Sequence, residues 1–367
     1  MIIFRYLYKE VLSTSLVIVM VLLAIMLSNQ FVHYLHSAAA GTITMHTVMM
    51  VMALQVPLLL GYLLPLGLYL GILLVLGRWY ADNEMTVLSA CGMSPWRLWG
   101  MVGILSIVLM VVESYLIFWM EPKTQWYRIQ LLNEAAASLA VDKVPVGHFQ
   151  LIDRDQRIIV YAGKKAKHNR LKYIFLARPH FSPDNTLQTW EVVTAQTLEE
   201  NEKSDYQGDF LVLNKGYRYS GDPRTSNYQV IQFQEFGITT SPRSTETRPK
   251  DKVKFMSTME LWDHYADPQA ASELQWRMAM PLSLLLLALL AVPLSYLHPR
   301  QGPFGKLFPA LLIYLIYMDL VFIGHSWVFD GKLNATWGLW WVHLLMGLLA
   351  VGLMYYQVTW HRRWALT

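Results

Sequence analysis

The side chains here that could do chemistry are carboxylates, imidazoles and one thiol, and their spacing argues against catalysis. His33 and His36 stand three residues apart with His46 close by, yet no carboxylate or cysteine joins them at metal-ligand spacing. Gly324-His325-Ser326 lacks the setting of a nucleophile elbow. Gly302-Pro303-Phe304-Gly305-Lys306-Leu307 has the wrong glycine spacing for a phosphate-binding loop and no Ser or Thr after the lysine. His148, His168 and His180 have no paired carboxylates at a telling distance. No catalytic residue, metal or cofactor is expected. If the protein does work, ATP and Mg must sit on another subunit.

One short segment carries a different chemistry, that of docking. Within Gly77–Pro95, Asp82 is placed to cap a helix and Glu84 to favour its positive end. Met85, Leu88 and Cys91 recur at helical spacing. Gly92 suits the left-handed residue that closes a helix, and Ser94-Pro95 supplies the start of the next one. The expected product is a short helix over about residues 82–92, offering an apolar stripe and one carboxylate. Most such loops are plain connectors, but capping at both ends favours a partner-docking helix.

The elements that must position this helix are membrane spans. Between Glu10 and Arg78 run 67 residues without Asp, Glu, Lys or Arg. A span needs about 20, so the run makes two, turning near His36–Thr42. Its first half is too long for a signal-peptide core of about 7–15 residues and reads as an uncleaved anchor. Composition agrees, with 54% hydrophobic residues, 15% charged and a mean hydropathy of +0.30. A net charge of +4 offers no basic patch for nucleic acid, and the single Cys91 can form no internal disulfide. Further apolar runs bring the expected helices to 11–35, 49–77, 98–120, 278–297, 307–326 and 335–358.

Three spans therefore precede, and three follow, a hydrophilic block. The expected domains are 1–120, 121–277 and 278–367. Arg5, Lys9, Arg78, Arg97, Arg300, Lys306, Arg362 and Arg363 flank the spans on one side, against Lys332 in the short loops opposite. By the positive-inside rule both termini are cytoplasmic and the central block lies outside.

That block reads as β structure, with strands over 147–152, 157–162, 171–178, 189–194, 209–213 and 228–236. Gly163-Lys164-Lys165, Ser182-Pro183-Asp184-Asn185 and Asn214-Lys215-Gly216 read as turns between them. A sandwich or jelly roll is expected. Strict alternation puts Leu171, Tyr173 and Phe175 on one face and Ile174 and Leu176 on the other. The plain reading is a two-layer core; the sharper one is a groove for a greasy ligand. Residues 241–252 read as a polar linker, after which Ser257 caps a short helix from Thr258 to Trp262.

Glu113 and Asp319 lie within spans. A charge near the bilayer centre costs about 2.5–3.5 kcal/mol even on a lenient scale, so each is expected at an interface or paired with Arg277. The alternative is that they line a wet cavity between subunits. Lys164, Lys165, Lys167, Arg170 and Lys172 form a basic hairpin tip, solvated by default.

Several separated motifs resemble one family. They are Met1-Ile2-Ile3-Phe4-Arg5-Tyr6-Leu7, Ser89-Ala90-Cys91-Gly92-Met93-Ser94, Glu273-Leu274-Gln275-Trp276-Arg277, Val292-Pro293-Leu294-Ser295 and His298-Pro299-Arg300-Gln301-Gly302. Their order, the span number and the domain placement are similar to the LptF/LptG permeases of lipopolysaccharide export, with a start and a Pro-Arg-Gln-Gly turn closer to the LptF branch. The resemblance implies an α-helical inner-membrane protein of six transmembrane helices with an inserted periplasmic β-jellyroll. It implies pairing with LptG above an LptB ATPase dimer, and the helix of Glu84 as the coupling helix in an ATPase groove. The jellyroll would hand lipopolysaccharide to LptC and then LptA. The substrate would enter from the outer leaflet between helix one of one permease and helix five of the other. Phe175, Tyr173, Ile174, Leu176, Arg277 and Asp319 are the substrate-path candidates. The first span carries no cation for lipid A phosphates, which points to Arg277 or the sister subunit.

Two rivals remain at this stage. A lipoprotein-release permease usually has four spans with its large domain after the first, unlike the three-plus-three plan. A membrane-anchored sensor or scaffold would show no dependence on Glu84.

Overall fold

The computed structural model describes residues 2–39, 43–137, 146–153, 158–166, 170–181, 187–201, 210–222, 228–239, 253–296 and 307–364. The helices are α1 (Ile2–Ala39), α2 (Met45–Ala81), the short α3 (Glu84–Ala90) and α4 (Pro95–Tyr115). α4 runs through a π turn (Leu116–Met120) into α5 (Glu121–Ala137). Six strands follow: β1 (Phe149–Asp153), β2 (Ile158–Ala166), β3 (Arg170–Phe181), β4 (Leu187–Asn201), β5 (Phe210–Gly221) and β6 (Tyr228–Thr239). The chain ends with α6 (Thr258–Asp263), α7 (Pro268–Leu294), α8 (Leu307–Phe329) and α9 (Trp340–Trp364). Two units result, one of residues 1–32, 49–129 and 247–367, the other of 33–48 and 130–246.

Six helices among the described residues are long and apolar enough to cross a membrane. Each expected span is found, and most overrun it. α1 begins at Ile2 rather than near residue 11, because adding a helical residue to an existing turn costs little while hydropathy marks only the lipid-covered part. The third span likewise continues to Ala137.

In the helical unit the core joins Leu68, Ile72 and Leu76 of α2, Leu98 and Val102 of α4, and Leu284 and Leu287 of α7. α1 seats on α2 through Gly67 and Gly71, a small-xxx-small pair. A Cβ on Gly67 would run into the Val19 side chain, and one on Gly71 into Ser15. Polar ties cross the bundle: Tyr69 donates to the Ala310 carbonyl at 2.9 Å, and Trp99 Nε1 to the Leu289 carbonyl at 2.9 Å. Ser283 Oγ, Tyr317 Oη and His343 Nδ1 link α7, α8 and α9 at 2.8 and 2.7 Å. α1 and α8 are the spans least covered by their own chain, with 22% of each window buried, followed by 28% for the span that begins with α4 and 33% for α9, against 61% for α2 and 67% for α7.

The strands form one antiparallel sheet in chain order. Among the described residues this is a meander; the crossing connections expected of a sandwich or jelly roll are not drawn. Besides register shifts at Leu151/Asp153 in β1 and His180/Phe181 in β3, one interruption recurs from β2 through β6. The β2–β3 ladder passes from Ala162↔Ile174 to Lys164↔Lys172, and β3–β4 from Ile174↔Ala195 to Lys172↔Thr197. The β4–β5 ladder passes from Ala195↔Gly216 to Thr197↔Asn214, and β5–β6 from Gly216↔Phe233 to Asn214↔Glu235. The omitted residues, Gly163, Tyr173, Gln196, Lys215 and Gln234, stand in one row and crease the sheet. Tyr173 and Lys215 adopt φ of 59° and 51°.

This corrects the expected turns. Gly163–Lys165 lies inside β2 and Asn214–Gly216 inside β5: the signals mark a real backbone departure, but one that creases a strand rather than reversing it. Gly216 is needed there, since a Cβ would strike the Thr194 carbonyl and the Phe233 ring. The turn at 182–185, the linker at 241–252 and the segment at 298–302 lie outside the described residues. Ser257 caps α6 as expected, in a full capping box with Glu260.

Candidate functional site

α3 is entered by a left-handed residue. Asn83 has φ 62° and makes no side-chain cap bond; its carbonyl accepts from Thr86 and Val87 at 3.1 and 3.2 Å. Asn is among the few residues at ease in that conformation, so Asp82 is not the cap that was expected and stays exposed in the turn. At the far end Gly92, with φ 89°, donates to the Ser89 carbonyl and Met93 to the Leu88 carbonyl, both at 3.0 Å. Ser94 Oγ then accepts from Arg97 N at 3.3 Å to start α4.

The apolar stripe expected on α3 divides in two. Met85 is buried and Leu88 half-buried in the helical core, while Cys91 is exposed. Two stripe residues therefore anchor the helix, and Thr86, Val87, Ser89 and Ala90 face outward with Cys91. Glu84 is half-buried at the edge of a cleft of about 340 Å³ lined by Ile3, Tyr6, Asp82, Asn83, Val87 and Leu88.

Below α3 lies a cluster that sequence reasoning missed. Glu10 accepts from Arg78 Nη2 at 2.5 Å and from Trp79 Nε1 at 2.7 Å, and Tyr6 stacks on Trp79 with ring centres 5.3 Å apart. The two charges that bound the 67-residue run are thus partners. Their position at the two ends of a helical hairpin was the available signal.

Arg277, a substrate-path candidate, is held inside the helical unit. It is fully buried, donating from Nε to Glu273 at 3.1 Å, from Nη1 to the Met256 carbonyl at 3.0 Å, and from Nη2 to the Lys254 carbonyl at 3.1 Å. Its donors hold residues 254–258 against α7, and neither Glu113 nor Asp319 is among its partners. Glu113 is not interfacial either: it is fully buried, and neither carboxylate oxygen has a partner among the described residues. Asp319 is exposed midway along α8, between Leu315, Ile316, Phe322 and Ile323, which are exposed too.

In the β domain the crease re-sorts the path candidates. Leu171 joins Ile174 and Leu176 on the buried face, with Ala162, Val193, Ala195, Leu198, Leu213, Phe233 and Phe236. Tyr173 is 65% exposed, and Phe175 packs against Phe149 with ring centres 6.1 Å apart on the opposite face. The row leaves one residue of each strand out of the ladder without changing the register, and the in–out alternation shifts across it, so Leu171 and Ile174 share a face although they are three apart. The two sides of the crease share one apolar cluster in which Leu171 and Leu213 keep no exposed surface. Glu191, almost wholly buried, joins Arg178 at 2.7 Å and Arg218 at 2.6 Å on that face, and Arg218 lies 5.5 Å from the Phe236 ring centre. Lys164 and Lys172, from the basic hairpin tip, are exposed and paired across β2 and β3.

A family profile described as lipopolysaccharide export system permease LptF/LptG matches residues 5–356. The chain is 30% identical over 351 residues to the lipopolysaccharide export system permease protein LptF of Escherichia coli K12, covering 96% of this chain and 94% of that protein. The protein of the same name in Shigella flexneri matches to the same extent. Six apolar spans in a three-plus-three arrangement around an inserted β sheet, together with a match across nearly the whole length, place this chain in the LptF/LptG family of lipopolysaccharide export permeases.

Proposed function

We propose that this chain is the LptF-type half of an ATP-driven pump in the bacterial inner membrane, with both termini cytoplasmic and the β domain periplasmic. It pairs with LptG and docks one copy of an LptB dimer through α3. It binds no cofactor and performs no catalysis itself. Lipopolysaccharide leaves the outer leaflet between α1 of one permease and α8 of the other, crosses the buried face of the β sheet, and passes to LptC and LptA.

The observation that carries this reading is the uneven cover of the spans. α1 and α8 leave most of their length to something other than their own chain, as the walls of a lateral entrance shared with a sister permease must. Asp319, exposed on α8, fits a wet cavity there better than a lipid-facing surface.

Energetics make a continuous path necessary. Covering an acyl chain is worth about 0.8 kcal/mol per methylene, so exposing one long chain costs on the order of 10 kcal/mol. A lipid with several chains needs unbroken apolar cover and an external drive. The apolar cluster of Ile174, Leu176 and Val193 is the candidate for such cover. It is closed within the sheet here and bordered by the ion pairs of Glu191 with Arg178 and Arg218, so it must open to admit a chain.

The test is a photo-crosslinker on the assembled complex. At Ile174 or Leu176 it captures lipopolysaccharide when ATP is supplied; at Tyr173, on the other face, it does not. Labelling that ignores ATP, or that is stronger from Tyr173, sinks the proposal.

A further inference from the structure

The cleft beside α3 has two walls, and only one belongs to α3. Glu84, Val87 and Leu88 line one side, and Ile3 and Tyr6 of α1 line the other. Ile3 is 39% exposed, Tyr6 42% and Val87 62%, so an apolar surface stands open at both walls. Desolvating such a surface favours an apolar occupant. Asp82 and Glu84 sit at the margin, and among the described residues neither carboxylate takes part in a hydrogen bond or ion pair. An occupant that is apolar in the middle and cationic at its edge satisfies both features.

We propose that the amino end of α1 is the second wall of the ATPase seat. The occupant is an apolar side chain of the ATPase flanked by a lysine or arginine that meets Glu84 and Asp82. This rests on the reading of α3 as the coupling helix and extends it. The second wall has a mechanical consequence. Trp79 is fully buried beneath the cleft, bonded to Glu10 of α1 and stacked by Tyr6, while Met85 roots α3 in the same core. The first turns of α1, the last turn of α2 and α3 form one block. A push on the cleft reaches α1 directly, without first bending α2.

The test uses the full chain co-expressed with its sister permease and the ATPase. Ile3→Asp puts a third carboxylate into the cleft without touching α3, and Val87→Asp does so from α3. A carboxylate in the apolar middle has no counter-charge to meet. Each substitution is expected to lower the ATPase that co-purifies about tenfold, with the amount of sister permease unchanged. Loss with Val87→Asp but full retention with Ile3→Asp overturns the second wall and leaves the coupling helix standing. Retention in both overturns the coupling reading as well. If Ile3→Asp lowers the level of the chain itself, a photo-crosslinker at position 3 decides. Capture of the ATPase supports the two-walled seat; capture of lipid alone, as from the exposed Leu12, overturns it.

Discussion

Two ion pairs anchor peripheral pieces of the helical unit, and they differ in almost every respect except chemistry. Arg277 and Glu273 lie on one helix, with side chains 0% and 8% exposed. Arg78 and Glu10 come from two helices, with side chains 50% and 20% exposed. In the first pair both charges have lost their water, so every donor must find a protein partner; Arg277 uses Nε and both Nη atoms. In the second, water can replace whatever is removed. The contrast teaches that an arginine's importance to the fold depends on how far it is dried and how fully it is spoken for, rather than on the length of its shortest bond.

The largest effect is expected where drying is complete. Arg277→Ala leaves the Glu273 carboxylate buried without its cation and strips the Lys254 and Met256 carbonyls of their donor. Breaking a buried pair from one side costs about 3–5 kcal/mol. The melting midpoint of the solubilised complex should fall steeply, and protease should cut near residue 254. A double change, Glu273→Leu with Arg277→Met, should recover only part of the loss, since the two carbonyls stay without a donor. A single variant that melts like the unsubstituted protein would break the comparison.

The second effect separates packing from charge at the other anchor. α1 meets α2 at the Glu10 cluster, at the point where Gly67 and Gly71 admit Val19 and Ser15, and along an apolar seam of Leu23 and Leu27 with Leu59 and Leu63. If close backbone approach holds α1, then Gly71→Leu must push the helix away. Overpacking of this kind costs about 1–3 kcal/mol. A disulfide between cysteines placed at Ser15 and Leu68, formed in a variant lacking Cys91, should close quickly with glycine at 71 and slowly with leucine. Equal closure rates would move the credit back to the ion pair and the seam.

What was legible in the chain follows the same division between continuous and local signals. Six spans were readable because each needs a long apolar stretch, and no single residue can disguise it. The end of α3 and the start of α4 were readable at Gly92 and Ser94, whose roles follow from one residue's conformation. The start of α3 was not, because Asp82 and Asn83 both suit a helix start and the left-handed turn chose between them. In the β domain all six strands were located, but two expected turns fall inside β2 and β5, and Leu171 lies on the face of Ile174 and Leu176 rather than that of Tyr173 and Phe175. Alternation assumes an unbroken ladder, and the row through Tyr173 and Lys215 shifts it by one. Gly163 and Gly216 flagged that row, but a glycine beside lysines in a strand-rich segment reads equally as a hairpin. Arg277 shows the remaining limit. Its charge near a span end suggested a phosphate contact, and its partners, the carbonyls of Lys254 and Met256, have no signature in sequence.

The smallest effect is expected at the exposed pair itself. Glu10→Gln keeps a carbonyl oxygen that can accept from Trp79 Nε1, and loses only the charge facing Arg78. Exposed pairs contribute about 0–1 kcal/mol, and much of that is screened at ordinary ionic strength, where the Debye length is about 8–10 Å. The melting midpoint should therefore shift slightly at low salt and not measurably at high salt. Glu10→Ala removes the acceptor as well, so the buried Trp79 N–H is left unmet at a cost of about 1–3 kcal/mol that salt cannot erase. The salt dependence of the two variants is the decisive readout. If Glu10→Gln proves as damaging as Glu10→Ala at every ionic strength, charge rather than the indole bond holds this end of α1, and the two anchors are more alike than their exposure implies.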